Sequence, residues 1–466
     1  MVFVHTAAGY DQQLTSTLYA SGYSVRAANG TLIDRRNILQ ELYLGAWHIL
    51  PGSSDPYYDG PRLSIEVDLR VGGDYGMDNS EMSSDRLDRF VPGAQAVYME
   101  AVFAYVNLEG VANDHLDISL GRIIRSDASG YAAFDGAELG LRWPWGIALD
   151  AFWGYEVQRA KPFGYDNLSL DGVDNVGRSD LDNAYFTSLV EPESLMVFGA
   201  ELTVTPSSWM DASLAFRQAG YDDKLQQQTV AGQFAVGNDR IRSFARVVAN
   251  PLLDRRDNLG GALREGTLVS EATAEVSVAP WQKGWMSLSY DLYRPTFMLD
   301  SIFNVFGQLG RRDVVLRYEH RQSARIQWAL WSGLRFADDN DVEASFEQNN
   351  VLIGGSGGAG CNLGNRQRQM SARANVDNEL GATRLGIEQS FGHRFWDERL
   401  WLSVRGSYWY VRDALFGKSK HISGYVLSAN HQFNEKARVL FEFENYYGED
   451  IPRFVLTALF QLDVWR

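Results

Sequence analysis

Residues 61–71 decide the fold, and they read Pro-Arg-Leu-Ser-Ile-Glu-Val-Asp-Leu-Arg-Val. The odd positions from Leu63 to Val71 are all aliphatic, and the even positions from Arg62 to Arg70 are all charged or polar. Because successive side chains of a strand point to opposite faces, this segment predicts a strand with one aliphatic face and one charged face. The polar face of a strand in a soluble sandwich is usually short and mixed. We therefore expect lipid on the aliphatic face and water, inside a closed barrel, on the charged face.

The same alternation recurs along the chain in about twenty segments of about ten residues, the length that a tilted strand needs to cross a bilayer. Short turns between segments alternate with long polar loops. The short turns are 144–146, 205–208, 237–239, 280–284 and 322–325, and the long loops are 72–93, 159–194, 250–267, 294–311 and 338–366. Bacterial outer-membrane barrels sort their connections in this way, with short turns at the periplasmic end.

The pattern predicts an all-β protein whose single domain, residues 1–466, is one closed antiparallel transmembrane β-barrel. We predict about 20 strands, within the range of about 18 to 22, because such barrels have an even number. The long loops are expected to be extracellular or to fold into the lumen. The strand count depends on the region 338–366, where one strand must be gained or lost. Its glycine-rich run, 354–364, lacks the Gly-Lys-Ser/Thr ending of a phosphate loop, and we interpret it as a flexible loop.

Composition narrows the function classes. The formal net charge of −16 argues against a nucleic-acid binder, which needs a basic surface. The chain contains no apolar run of about 18 residues, so we expect no transmembrane helix.

The single cysteine, Cys361, excludes an internal disulfide. We find no cluster with metal or haem spacing and predict neither a metal nor a cofactor. Residues 1–5 carry no signal peptide, so an export signal is expected to have been removed.

Aromatic residues cluster near the segment ends, at Trp143, Trp145, Tyr155, Trp209, Trp281, Trp285, Tyr293, Trp409 and Tyr410. This placement is typical of the girdles at membrane–water interfaces, where a ring contacts both apolar and wet surroundings. Aromatic core packing in a soluble sandwich is the alternative.

The chain resembles Gram-negative outer-membrane barrels over nearly its whole length. Residues 454–464 resemble the C-terminal strand of these proteins, although the chain ends on Trp465-Arg466 and not on an aromatic residue. Leu120-Gly121-Arg122, followed by Phe134-Asp135-Gly136 and an alternating strand, is similar to porin and alginate-export-type barrels. The resemblance implies a location in the bacterial outer membrane, with lipids around the barrel.

The charged parity supplies candidate residues for the lumen wall. The basic candidates come from the second half of the chain: Arg242, Arg246, Arg317, Arg321, Arg335, Arg373, Arg384 and Arg405. The acidic candidates are Glu66, Asp68, Glu138, Asp150, Glu271, Glu275 and Glu442. If the arginines share one wall, they form a basic track that favours anionic solutes. Alternatively, each arginine pairs with a neighbouring carboxylate and stiffens the wall.

We expect an outer-membrane channel for hydrophilic, mainly anionic, solutes or for an exported acidic polysaccharide. The loop 294–311 is unusually apolar, with Phe297, Ile302, Phe303 and Phe306, and is a candidate plug or partner-binding loop. The alternative function is therefore a structural barrel that anchors or sheathes partner proteins of the envelope. The seven histidines are scattered, and no Gly-x-Ser-x-Gly motif is present, so we predict that the protein is not an enzyme.

Overall fold

The computed structural model describes residues 11–26, 32–50, 60–74, 98–157, 196–221, 224–250, 268–293, 311–337, 353–365, 367–379, 382–396, 398–413, 419–447 and 453–465. These residues form one antiparallel sheet of 22 strands. The strands are β1 (Asp11–Arg26), β2 (Leu32–Trp47), β3 (Arg62–Asp74), β4 (Tyr98–Gly110), β5 (Leu116–Asp127), β6 (Gly130–Trp143), β7 (Ile147–Glu156), β8 (Met196–Ser207), β9 (Met210–Tyr221), β10 (Lys224–Gly237), β11 (Ile241–Asn250), β12 (Leu268–Trp281), β13 (Gly284–Tyr293), β14 (Arg311–Arg321), β15 (Ile326–Ala337), β16 (Ile353–Gly364), β17 (Arg368–Glu379), β18 (Ala382–Phe395), β19 (Leu400–Asp413), β20 (Ser419–Gln432), β21 (Ala437–Tyr447) and β22 (Arg453–Trp465). No helix in this part of the chain is long and apolar enough to cross a membrane.

The sheet closes on itself. Each strand pairs with the next one along the chain, and β1 pairs with β22 from Leu14↔Trp465 to Ser24↔Phe454. Closure satisfies the backbone hydrogen bonds that an edge strand would expose, which is the condition for a sheet to cross a bilayer. The predicted closed antiparallel barrel is confirmed. Its 22 strands are an even number at the upper limit of the predicted range.

The glycine-rich run 354–364 was wrongly predicted to be a loop. Residues 353–364 are strand β16, which pairs with β15 from Ile326↔Leu363 to Phe336↔Ile353 and with β17 on its other side. The backbone ladder needs no side chains, so glycine can complete it while giving no alternation in the sequence. This strand is the one that the sequence count lacked. Residues 338–352 of the predicted loop lie outside the described part of the chain.

The five longest connections all lie at one end of the barrel, which also carries shorter ones such as 128–129. One end, the short-turn end, carries two- to five-residue turns such as 208–209 and 111–115, together with the longer connection 48–61. The other end, the long-connection end, joins the strands across 75–97, 157–195, 251–267, 294–310 and 338–352. Nearly all the residues of these predicted long loops lie outside the described ranges, including Phe297, Ile302, Phe303 and Phe306. The assignment of the two ends to periplasm and exterior stays a prediction.

The faces of the opening stretch are as predicted. Ile65 and Val71 expose 41% and 42% of their surface, whereas Asp68 on the opposite face exposes 6%. Large aliphatic side chains are exposed in the same way around the barrel, at Leu120, Leu139, Leu288, Leu316, Leu330 and Ile387. Monomeric soluble proteins rarely expose such a continuous apolar surface. Hydrocarbon therefore covers this outer wall.

Exposed aromatic rings border the apolar band at both ends. Trp145, Trp209 and Trp281 lie at the short-turn end, and Tyr155 and Tyr447 lie at the long-connection end. These positions fit the predicted girdles. Trp285, Tyr293 and Trp409 were wrongly included, because all three have the inward parity of their strands. The Trp285 ring lies in the lumen beneath the guanidinium of Arg242, 4.9 Å from ring centroid to Cζ, and Arg311 lies over the Tyr293 ring at 5.9 Å.

Candidate functional site

Strands β5 and β6 leave the barrel wall near the long-connection end. β5 pairs with β4 only as far as Ala104↔Arg122, and β6 pairs with β7 only as far as Phe134↔Glu156. The two strands nevertheless continue to pair with each other up to Asp127↔Gly130. Residues 123–132 are therefore a two-stranded ribbon, here called the inner hairpin. Within the described residues, no backbone ladder joins this ribbon to a wall strand.

The inner hairpin packs on the lumen side of the wall. Phe134, at its base, is fully buried and stacks on Phe152 of β7 with ring centroids 5.0 Å apart. Ile123, Val197 and Ala219 complete this cluster. Their sequence neighbours Trp153 and Phe198 have the opposite parity and are exposed on the outer wall, so the cluster faces inward. Burial of a phenylalanine of this kind stabilises by about 3–5 kcal/mol relative to alanine.

The tip of the hairpin reaches further round the barrel. Ala128 is buried against Ala215, Ala231 and Val248, which come from β9, β10 and β11. Small inward residues on these strands leave a shallow bed for the ribbon. Tyr131, on the free side of the hairpin, exposes 64% of its surface to the lumen.

Glycines allow the strands to bend at the base of the hairpin. Gly121 has a φ of +130°, and a Cβ there would lie 2.2 Å from the carbonyl oxygen of Ala104. A Cβ at Gly136 would lie 2.1 Å from the carbonyl oxygen of Trp153. A larger residue at either position would collide with backbone, which cannot move aside without breaking the ladder. The bend therefore requires glycine at both places.

Arg122 clamps the two strands just where they bend. Its Nε and Nη2 donate to the two carboxylate oxygens of Asp135, both at 2.7 Å, and its Nη1 donates to the carbonyl oxygen of Ala101 at 2.9 Å. A bidentate pair of this geometry is among the strongest polar contacts in proteins. Arg122 and Asp135 belong to the two short motifs, Leu120–Arg122 and Phe134–Gly136, that resemble porin and alginate-export-type barrels.

A buried ion-pair cluster fixes the hairpin to the wall. Arg125 donates to Asp127 at 2.8 Å, to Glu201 of β8 at 2.8 Å, and to Glu138. The Arg125 side chain is only 7% exposed, so it needs these carboxylates to offset the loss of water. From β11, Arg246 Nε donates to the carbonyl oxygen of Ala128 at 2.9 Å. From β9, Arg217 donates to the carbonyl oxygen of Tyr131 at 2.9 Å.

The predicted basic residues all have the inward parity, and several pair with carboxylates. Arg246 contacts Glu271 at 3.0 Å, Arg317 contacts Glu319 at 2.6 Å, and Arg335 contacts Asp313 at 2.8 Å. These three fit the alternative in which arginines stiffen the wall. Arg384 also has a partner. Arg321 lies exposed at the short-turn end of β14.

Three predicted arginines share one cavity, and two of them have no ion pair with a described residue. Arg317, Arg373 and Arg405 line a cavity of about 540 Å³ with Trp331 and Glu388. Arg373 lies over the Trp331 ring, 5.7 Å from Cζ to the centroid. Glycine-rich β16 forms the floor, since Gly360 faces this space and the Trp331 ring covers Gly358. Arg242 is separate and lines a second cavity, of about 880 Å³, towards the short-turn end.

The predicted acidic residues do not form one site. Glu138 and Asp150 pair with Arg125 and Arg142, and Glu271 pairs with Arg246. The others hold neighbouring polar side chains: Glu66 accepts from Tyr43 at 2.9 Å, Glu275 from Ser277 at 2.7 Å, and Glu442 from Ser428 at 2.9 Å. Asp68 is buried on β3 beside Arg70. No group of three or more histidine, cysteine or carboxylate side chains in the described ranges is placed to hold a metal ion.

The sequence reasoning missed the inner hairpin, together with Arg122, Arg125 and Asp135. The available signal was the pair of short motifs, whose residues turn out to be the hinge and the clamp. Alternation alone predicts that residues 116–127 and 130–143 are ordinary strands of the barrel wall.

No family model matches the sequence, and no curated protein matches it. Among solved structures, the chain is similar to Acinetobacter baumannii OccAB4, with 9% identity and a TM-score of 0.46 over 97% of this chain and 98% of that chain. It is similar to Pseudomonas aeruginosa OpdQ, with 9% identity and a TM-score of 0.44 over 98% of this chain and 100% of that chain. It is also similar to Pseudomonas aeruginosa OpdK, solved with vanillate, with 9% identity and a TM-score of 0.40 over 98% and 99% of the two chains.

These TM-scores lie below 0.5, so no property of the three proteins is transferred to this chain. Sheet closure and the apolar outer wall stand on their own, because a closed sheet with an apolar exterior is the form in which strands cross a membrane. The chain is therefore a closed antiparallel β-barrel that spans a membrane with its strands, as the alternation predicts. Its location in the bacterial outer membrane stays a prediction.

Proposed function

We propose that the protein is a channel for hydrophilic, anionic solutes, which pass through a charged, water-filled lumen narrowed by the inner hairpin. Charges as numerous as those on the inward parity are too costly to bury in a dry interior. A barrel of 22 strands is wide enough to hold water and an inserted element together. The proposal rests most on one observation: Arg373 and Arg405 line an open cavity with no ion pair among the described residues.

The two sides of the lumen are arranged to favour an anion. In a ring of 22 strands, a strand faces the one eleven places along, so β6 and β8, which carry Glu138 and Glu201, face β17 and β19. The arginines of the hairpin side are neutralised by Asp127, Glu138 and Glu201. On the far side, three arginines, Arg317, Arg373 and Arg405, line the cavity with two carboxylates, Glu319 and Glu388, which leaves a net positive field in the lumen. Such a field raises the local concentration of anions and lowers that of cations.

An acidic polysaccharide is the polymeric form of such a solute. The resemblance of residues 120–122 and 134–136 to alginate-export-type barrels supports it, since these residues build the hinge of the constriction. Oligouronates added to a conducting channel would distinguish the two forms. A polymer path predicts that block strengthens with oligomer length, because successive carboxylates engage successive arginines. The alternative of a structural barrel rests on the apolar loop 294–311, which lies outside the described residues, and it stays a prediction.

Ion selectivity in planar bilayers tests the proposal. The wild-type channel is expected to be anion-selective in a salt gradient, and the triple variant R317E/R373E/R405E is expected to reverse the sign of the reversal potential. R438E is the matched control, because Arg438 is an inward arginine on β21 that bonds Gln461 and lies outside the cavity. It should change selectivity much less.

Two results would contradict different parts of the proposal. A folded barrel that conducts no current would rule out the channel. A conducting barrel whose triple variant keeps the wild-type selectivity would rule out the three arginines as the source of that selectivity.

A further inference from the structure

Three histidines face outward at the short-turn end of the barrel. His320, His393 and His431 lie at the ends of β14, β18 and β20, alternate strands that all run towards this end. Each has the parity of exposed aliphatic residues on its own strand, such as Leu316 on β14 and Ile387 on β18. The three rings therefore lie on the outer wall at the lower border of the apolar band.

Aromatic rings surround each of these histidines. The His393 ring is perpendicular to Phe395, with centroids 4.2 Å apart, and the His431 ring is perpendicular to Phe433, with centroids 4.5 Å apart. The same His-x-Phe spacing thus ends both strands. Trp396 adds a second ring to His431 at 5.7 Å. His320 packs against Tyr318, at 6.2 Å, and Trp328, at 5.2 Å.

In both His-x-Phe pairs, packing buries one imidazole nitrogen and leaves the other available to a partner outside the protein. Nδ1 of His393 and Nδ1 of His431 are buried and have no hydrogen-bond partner in the described part of the chain. A proton on a buried nitrogen without an acceptor is costly, which favours the tautomer with the proton on Nε2. Both rings can then donate one hydrogen bond from Nε2 at the edge of the apolar band.

Cationic side chains follow in the adjoining turns. The exposed turn residues of this half of the short-turn end include Lys283, Arg325, Arg399 and Lys436. Carboxylates are fewer among the described turn residues here, where Glu398 already contacts Arg394 at 3.3 Å and Glu435 stands beside Lys436. By contrast, the turns 144–146 and 208–209 on the other half carry no charged side chain. A protein with net charge −16 and only six lysines thus places two of them in the turns of this half.

We propose that this basic aromatic rim, formed by the three histidines, their rings and the four turn cations, binds the headgroups of anionic phospholipids. The imidazole Nε2 atoms and the cations bind phosphate oxygens, and the acyl chains lie along Phe395, Phe433 and Leu402 of the outer wall. A lipid fits better than a protein, because these side chains lie on the wall that hydrocarbon covers. Each cation near the surface strengthens the attraction to an anionic lipid by about fivefold. The inference rests on the barrel crossing the membrane and is independent of conductance.

Native mass spectrometry of the detergent-purified barrel tests this site with phosphatidylglycerol and phosphatidylethanolamine, added at equal concentration with the same acyl chains. The wild type is expected to retain phosphatidylglycerol preferentially. The variant K283Q/R325Q/R399Q/K436Q should lose most of that preference. H393Q/H431Q removes neutral donors to the phosphate that both lipids carry, so it should weaken the retention of both lipids by about fivefold and leave the preference unchanged.

H421Q is the matched control for the histidines. His421 also faces outward among aromatic rings, but it lies at the long-connection end of β20, where the Tyr408 hydroxyl contacts its Nδ1 at 2.6 Å. Its substitution should leave lipid binding unchanged, and heat-modifiable gel migration confirms that every variant is folded. Equal retention of the two lipids by the wild type would overturn the proposal, and so would an unchanged preference in the quadruple variant; a protein would then be the occupant to seek.

Discussion

The two sides of the lumen are built from the same alternation but have opposite interiors. On β9–β11, small inward residues form a bed that the inner hairpin fills, and the hairpin's Arg125 is buried among three carboxylates. On β14–β19, the glycine-rich strand β16 leaves a recess above Gly360, and no described segment fills it. Arg373 and Arg405 consequently face open space. The comparison teaches that an alternating strand specifies which face is wet, while longer-range contacts decide whether protein or solution occupies that face.

The largest expected difference between the two sides is in how they tolerate loss of an arginine. Arg125→Ala leaves the carboxylates of Asp127, Glu138 and Glu201 together without their cation, and breaking a buried pair in this way costs about 3–5 kcal/mol. Arg405→Ala removes an exposed charge and should leave the free energy of unfolding unchanged. Urea unfolding in phospholipid vesicles, followed by tryptophan fluorescence, measures both. Equal losses for the two variants would show that the sides do not differ.

A smaller loss of stability is expected on the open side, where β16 packs against Trp331. A Cβ at Gly358 would lie 2.3 Å from Cζ2 of Trp331 and 2.5 Å from the carbonyl oxygen of Ala374. Gly358→Ala should therefore destabilise the barrel by about 1–3 kcal/mol through overpacking. Gly406→Ala is the control, because a Cβ there meets nothing within 4 Å. The thermal midpoint in detergent reports the difference, and a midpoint that falls equally in both variants would mean that the recess is not closely packed against Trp331.

The sequence predicts the barrel well because the relevant physics is local. A period of two is imposed by the strand itself, so the two faces of residues 61–71 follow from the residues alone. Strand β16 was missed for the same reason. Glycine has no side chain, so a glycine-rich strand shows no alternation of apolar and polar residues. The even strand number of such barrels still indicated that a strand was gained or lost near 338–366.

The inner hairpin was not predictable from alternation because its determinants are distant contacts. Arg125 meets Glu201, 76 positions further along the chain, and Arg246 meets Ala128 across 118 positions. No local pattern marks Arg122 as the place where β5 parts from β4. Only the paired motifs around Gly121 and Gly136 pointed there, and they did so by resemblance and not by a physical rule. Likewise, parity placed Arg373 and Arg405 in the lumen but did not reveal whether a carboxylate lies beside them.

Single-channel conductance of a barrel without its inner hairpin shows whether that hairpin narrows the lumen. Replacing residues 124–131 by two glycines removes the ribbon and keeps Ile123 and Phe134 at its base. If the hairpin narrows a conducting lumen, this variant should still show heat-modifiable migration and should conduct severalfold more current per channel than the wild type. A folded variant with wild-type conductance would contradict the account, because the narrowest part of the path would then lie elsewhere.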